Sequence, residues 1–304
     1  MKSLFLLVGL MVAFASPAFS ADKVYTIGMS QCNLGEPWRV QMNSDIKKSA
    51  ETHKNLNVVF KDAQNDTLKQ RSQIEEFVNA GVDLLIVSPK EAGPLTKIIA
   101  DAYKKGIPVI ILDRKIMGDT YTTFIGADNK KIGQAVGEWL NKKFSTGGKI
   151  VELKGLMTST PGQDRHSGFV TGIKNTKLNV LFEADMKWQG PIARKEMESA
   201  LSVHPKIDIV YAHNDPAAMG AYLAAKAAGR EKEITFVGID GLPHEGRAYV
   251  QKGILAASFE YPTGGKEAID SALSILGGKT VEREITLKSK VFTKDNIAQG
   301  GEVL

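Results

Sequence analysis

The sequence predicts an α/β protein of two similar lobes, each built on a parallel sheet. Three observations predict it. Short β-branched runs alternate with amphipathic stretches from Val24 onward, which is the signature of βαβ units. The second half repeats the plan of the first: GVDLLIVSP, a helix and KKGIPVIILDR are answered by KIDIVYAHND, a helix and AAGREKEITFVGIDG. Polar residues, finally, gather where the strands end, the edge at which open α/β sheets hold their ligands.

The elements follow in order. Strands are predicted at VYTIGMS (24–30), NVVFKDA (57–63), DLLIVS (83–88), PVIILD (108–113) and YTTFIGA (121–127). Between them LKQRSQIEEFVNAG places Ile74, Phe77 and Val78 at helical spacing, with Gly81 as the stop. LTKIIADAYKKG repeats the device with Ile98, Ile99 and Ala102 inside and Gly106 closing. The second half predicts strands at KIVELKG (149–155), NVLFEAD (179–185), IDIVYA (207–212) and ITFVGID (234–240). Asp83 to Asp113 spans 30 residues and Asp208 to Asp240 spans 32, so the repeat is one of domains rather than of a solenoid. Asp215, before Pro216, is expected to cap the helix that follows. His213 has no second histidine at metal-ligand or catalytic spacing, and is expected to pack at a strand end.

The first twenty residues, MKSLFLLVGLMVAFASPAFS, read as a secretory signal peptide: a basic start, an apolar run too short to span a bilayer, then small residues. Cleavage is expected between Ser20 and Ala21, leaving 284 residues, ample for two cores. The single cysteine, Cys32, forbids an internal disulfide and is read as a small buried thiol, which suits an exported chain in a bacterial periplasm. Without Lys2 the chain has 38 basic and 34 acidic residues, dispersed and not interleaved with aromatics, so no nucleic-acid footprint is read.

The blocks DAQND, DAYKKGIPVIILDR, GADN with GQAVGEWL, QDRHSGF, YAHNDPAAMGA, FVGIDG and LAASFEYP stand in the order found in periplasmic sugar-binding proteins of the ribose-binding and galactofuranose-binding type. The chain resembles that family from about Val24 to its C-terminus. The resemblance implies two Rossmann-like lobes with parallel sheets joined by a three-crossover hinge, the type I periplasmic binding protein architecture, closing around a monosaccharide. It implies an N-terminal lobe of 24–126 plus 262–289, a C-terminal lobe of 127–261 plus 290–304, and hinges near Gly126, Pro262 and Lys290.

A monosaccharide demands groups that donate and accept in its plane and aromatic faces against its C–H bonds. Asp113 and Arg114 end PVIILDR, where the similar proteins hold ring hydroxyls, and replacing Asp113 by Ala is expected to abolish binding with the fold intact. Asn214 and Asp240 match family contacts from the second lobe. Trp38, followed by Arg39, and Trp188 fall at aromatic positions that would sandwich the sugar, while Trp139 is assigned to the core. Arg165 corresponds to a contacting arginine and Gln163 stands where ribose-binding proteins often carry a second one, which favours a hexose, in furanose form among others, over ribose. Glu36 and Asn65 are N-lobe contributors with a turn role as the alternative, and either Glu260 or Tyr261 supplies a hinge contact, Tyr261 being the choice adopted.

No GxSxG, Walker, HExxH, CxxC or GxGxxG pattern is present, so the expectation is a binding protein with no catalytic residue, metal or cofactor. A LacI-type repressor shares this core, but its DNA-binding position is taken here by the leader. The expected partner is the permease of an ABC importer, or alternatively the periplasmic domain of a sensor kinase or chemoreceptor, approached by a monomeric chain.

Overall fold

The computed structural model describes residues 23–304; the predicted leader and its cleavage point lie outside them. Two sheets organise the chain. The first sheet contains β1 (Tyr25–Gln31), β2 (Leu56–Asp62), β3 (Leu84–Ser88), β4 (Val109–Leu112) and β5 (Thr123–Ala127). Helices α1 (Pro37–Glu51), α2 (Thr67–Asn79) and α3 (Ala92–Lys104) link its first four strands. The second sheet contains β6 (Gly148–Lys154), β7 (Leu178–Asp185), β8 (Ile209–Ala212), β9 (Thr235–Asp240) and β10 (Ala257–Glu260). It is served by α4 (Asn129–Lys143), α5 (Thr160–Gly172), α6 (Gly190–Val203), α7 (Asp215–Ala227) and α8 (Gly246–Gln251).

The chain then crosses back. Helix α9 (Gly265–Leu276) packs on α1, and β11 (Glu284–Leu287) joins the first sheet beside β5. Strands β12 (Lys290–Thr293) and β13 (Glu302–Val303) complete the second sheet. Spatial order is β11-β5-β4-β3-β1-β2 in one sheet and β13-β12-β10-β9-β8-β6-β7 in the other. Three segments therefore pass between the sheets: after β5, after β10 and after β11.

All pairings in the first sheet are parallel. The second departs from the purely parallel expectation, because β12 runs antiparallel to both β10 and β13. These late strands are short and their sequence alternates weakly, so periodicity alone did not mark them.

Side-chain alternation explains why each sheet has helices on both faces. In β3, Leu84 and Ile86 face α1 and α9 through Met42, Ile46 and Ile269, whereas Leu85 and Val87 face Ile74, Phe77 and Ile99 of α2 and α3. In the second lobe Ile209 and Tyr211 meet Val136 and Phe169, while Val210 and Ala212 meet Met197 and Ala221. A strand buried on both faces reads as a continuous apolar run, which is why IDIV and DLLIV were legible.

Close packing of α4 on α5 sets the position of the segment that carries Arg165. A Cβ on Gly133 would lie 2.1 Å from the Arg165 carbonyl oxygen, so any larger residue there would push α5 outward. Helix α2 is capped by Asp66, which accepts from the amides of Leu68 and Lys69. Gly81 and Gly106 take the left-handed conformation after α2 and α3, where the sequence places their stops. Cys32 is a buried free thiol. Trp139 is half-buried against the C-lobe core rather than inside it, with Lys143 over its ring.

Candidate functional site

The carboxyl ends of both sheets face one another, and the residues beyond them line a small cleft. Its walls are Glu36, Trp38, Arg39, Asp113, Arg114, Pro161, Arg165, Trp188, Asn214, Asp240 and Tyr261. All of these except Pro161 were expected from the sequence.

Strand β4 ends at Leu112, and Asp113 turns out of it at φ 71°, a conformation that Asp tolerates better than most residues. Its Oδ2 accepts from Arg39 Nη2 at 2.7 Å. Arg39 comes from the first turn of α1 and also donates to Ser88 Oγ at 2.8 Å. Asp113 and Arg39 are both nearly fully buried, so the pair has little solvent screening. Asp113→Ala, expected to spare the fold, would remove the carboxylate nearest this buried guanidinium and leave Ser88 Oγ and Glu36 beside it. Glu36 lies 3.6 Å from Arg39 Nε and accepts from Asn33 Nδ2 at 2.8 Å. Arg114 donates through Nη1 to the Lys90 carbonyl at 3.1 Å, and its guanidinium sits 5.5 Å from the Trp188 ring centre.

From the opposite lobe, Arg165 Nε donates to Asn129 Oδ1 at 2.9 Å, Nη1 donates to the His213 carbonyl, and Nη1 lies 4.0 Å from Asp240 Oδ1. Its guanidinium faces the rings of Trp188 and Tyr261, at 5.2 and 4.9 Å. Asn214 donates to the Trp188 carbonyl at 3.0 Å and accepts from the Ala217 amide at 3.1 Å. Asn214 is thus the cap of α7, and Asp215 is not. Asp215 is already the first helical residue, and its carboxyl group points inward to Ser258 Oγ and the Gly241 amide.

Burial pushes the Asp215 carboxyl up to about 7. Burial raises Asp240 as well, helped by the neighbouring Asp215 charge.

Two indoles from opposite lobes flank the space. Trp38 donates its Nε1–H to the Tyr261 carbonyl at 2.7 Å, and the two rings lie 5.4 Å apart. Trp188 sits at φ 67° on the loop after β7, its six-membered ring pressed on Gly155, where a Cβ would meet ring atoms at 2.2–2.4 Å. Tyr261, on the crossing after β10, donates to the Asp113 carbonyl at 3.2 Å and accepts from Asn129 Nδ2 at 3.3 Å, so one phenol touches groups from both lobes. Glu260 pairs with Arg247 instead and leaves the hinge contact to Tyr261.

Two expected residues stand elsewhere. Gln163 is exposed and bonds the Met157 carbonyl at 2.8 Å, because it lies two positions from Arg165 on one helix and so on the other side. Asn65 takes φ 64° in the turn before α2 and lines an adjoining groove with Leu34, Glu36 and Trp188 rather than the cleft itself. Asn129 was missed as a functional residue, although it joins Arg165 to Tyr261. Its only sequence signal was its place in GADN.

The chemistry of this space is specific. Three guanidinium groups and three carboxyl groups line it, and burial favours the neutral form of Asp240, so donors and acceptors suited to a polar ligand stand together. Among the described residues, Arg39 Nε, Arg114 Nε and Trp188 Nε1 are buried donors without a hydrogen-bond partner. Buried donors of this kind are satisfied in most proteins, and here they wait beside the space a ligand would fill.

Comparison with known proteins agrees with this geometry. The family described as periplasmic binding protein domain matches residues 27–280. The ribose import binding protein of Bacillus subtilis (strain 168) is 32% identical over 92% of this chain and 92% of its own length. The galactofuranose-binding protein of Escherichia coli (strain K12) is 30% identical over 97% of this chain and 95% of its own. Among solved structures, the fructose binding periplasmic domain of a hybrid two component system is 44% identical, with TM-score 0.88 over 91% of this chain and 93% of that one. The fold, the opposed strand ends and these matches lead to one conclusion: the chain belongs to the periplasmic binding protein domain family.

Proposed function

We propose that the mature chain captures a monosaccharide between its lobes and presents the closed form to the permease of an ABC sugar importer. One observation carries this reading: a small polar cleft between the lobes in which Trp38 and Trp188 stand with Arg39, Arg114, Arg165, Glu36, Asp113 and Asp240. Relatives that are ribose import and galactofuranose-binding proteins support it. The site residues are taken to be Glu36, Trp38, Arg39, Asp113, Arg114, Arg165, Trp188, Asn214, Asp240 and Tyr261. The moving lobes are taken to be 24–126 with 262–289 and 127–261 with 290–304. The chain acts in the periplasm as a monomer and performs no reaction on its ligand.

The sugar class we favour is a hexose that reaches a furanose form. Solved relatives include proteins described with fructose and, at 30% identity, with β-D-fucofuranose. The fructose-binding relative belongs to a two component system, which specifically favours a second reading: occupancy of this chain is reported to a sensor kinase. Either use requires that ligand bind the closed form better than the open one.

A melting screen of the mature chain against pentoses, hexoses, furanose-forming sugars and polyols tests the reading. A ligand of the native state raises the midpoint with the logarithm of its concentration over its dissociation constant. One large, saturable shift is expected; no shift with any carbohydrate would sink the sugar assignment. Recovery of the loaded chain with a permease or with a sensor domain then separates the two uses.

A further inference from the structure

The C-lobe holds a fully buried carboxylate that the sugar site does not use. Glu152, in the middle of β6, has no solvent exposure. Both its oxygens lie 3.0 Å from His166 Nδ1, and Oε1 lies 3.0 Å from His213 Nε2. The Gly155 amide donates to His213 Nδ1 at 3.1 Å, which fixes the tautomer: Nδ1 accepts, and Nε2–H donates to Glu152.

Each arm of this cluster reaches a wall of the cavity. The His213 carbonyl accepts from Arg165, the residue before His166 on α5. Asn214 follows His213 directly, and its amide holds the Trp188 carbonyl. The Trp188 ring rests on the same Gly155 that orients His213. Burial pushes the Glu152 carboxyl up, but its imidazole hydrogen bonds more than offset that and hold it below the usual carboxylate range. The bond to Glu152 raises His166, and burial lowers His213. A cation is not the natural occupant of the adjoining Glu152, His166 and Glu183 group, since the Lys154 ammonium already pairs with Glu183 at 2.6 Å.

We propose that Glu152, through His213 and His166, is a positioning residue of the cleft: it never touches the sugar, yet sets where Arg165, Asn214 and Trp188 stand. The proposal rests on the reading of the cavity as a sugar site. It predicts a particular difference between two variants. In Glu152→Gln the single amide oxygen serves His213 Nε2–H, which cannot change tautomer while Gly155 donates to Nδ1. The amide nitrogen then donates to His166 Nδ1, and the half-buried His166 ring changes tautomer to suit. Glu152→Leu satisfies neither imidazole.

Wild type and both variants are titrated calorimetrically with D-fructose, or with whichever sugar of the screen shifts the wild-type midpoint most. Glu152→Gln is expected to stay within about threefold of wild-type affinity and Glu152→Leu to lose about tenfold or more, because Arg165, Asn214 and Trp188 are then displaced from the positions that meet the ligand. Nitrogen-15 imidazole spectra are expected to show His166 carrying its proton on Nδ1 in wild type and on Nε2 in Glu152→Gln, with its pKa falling. If Glu152→Leu does not fold, His166→Leu carries the same test and is expected to lose about threefold. Sugar binding that survives Glu152→Leu, or His166→Leu in its place, at wild-type strength overturns this proposal alone. Absence of binding by the wild type overturns the sugar-site reading and this proposal with it.

Discussion

Asp113→Asn offers the sharpest test of how the cavity holds a ligand. The substitution keeps side-chain volume and suits the residue's φ of 71°, which Asn adopts readily. Its carbonyl oxygen can still accept from Arg39 Nη2, now 2.7 Å from Oδ2, so the guanidinium keeps a partner. Alanine would instead break a buried ion pair at a cost of about 3–5 kcal/mol and mix folding with binding. What Asn removes is the charge, together with the second acceptor at Oδ1; among the described residues the partners of this carboxylate all meet Oδ2. A hydrogen bond to a charged group contributes about 1.5–3 kcal/mol. At about 1.4 kcal/mol per factor of ten, the dissociation constant should rise from roughly 10-fold to roughly 150-fold. Isothermal titration with the sugar found by the melting screen reads the dissociation constant, and the melting midpoint of the unliganded chain reads whether folding is preserved. Wild-type affinity in Asp113→Asn would refute the claim that this carboxylate bonds the ligand.

Three further outcomes follow from the same geometry. Gly155→Ala should weaken binding about tenfold without touching the ligand, because the new methyl meets the Trp188 ring at 2.2–2.4 Å and displaces it; a change in Trp fluorescence should accompany the loss, and unaltered affinity and fluorescence would contradict the close contact. Gln163→Ala should leave affinity unchanged, since the side chain faces solvent and bonds the Met157 carbonyl; a marked loss by titration would return it to the site. Asp215→Asn should alter how stability depends on pH. The buried carboxyl titrates near 7 in the folded chain and near 4 in the unfolded one, so its stabilising contribution is complete below about pH 4 and is lost as pH rises through 7. The variant's melting midpoint should therefore gain on wild type between pH 5 and 8, and parallel curves would show that Asp215 does not titrate in that window.

Much of the fold was legible because doubly buried strands leave continuous apolar runs and their helices leave a 3.6-residue stripe, as in DLLIVS and LTKIIADAYKKG. The short antiparallel β12 and β13 carry too few alternations to declare themselves. Site residues were legible where they end a strand, as Asp113, Asn214 and Asp240 do, since the strand end alone fixes the edge they occupy. Side-chain direction was harder to read. Gln163 and Arg165 sit in one motif, yet two residues along a helix turn the chain by about 200° and send one outward. Asp-Pro at 215–216 signalled a helix start correctly but not that Asn214 would make the capping bond while Asp215 turned inward to Ser258. Glu152 gave no signal beyond a charge inside an apolar strand. Its partners lie 14 and 61 residues away, and only the packing of β6 against α5 and β8 brings them together.

A structure of the mature chain grown with the sugar that most raises its melting point tests the central claim directly. One sugar ring is expected between Trp38 and Trp188, with Asp113, Arg114, Arg165, Asn214 and Asp240 bonded to its hydroxyls. Sugar bound outside this cavity, or a cavity closed without it at saturating concentration, would refute this assignment of the site.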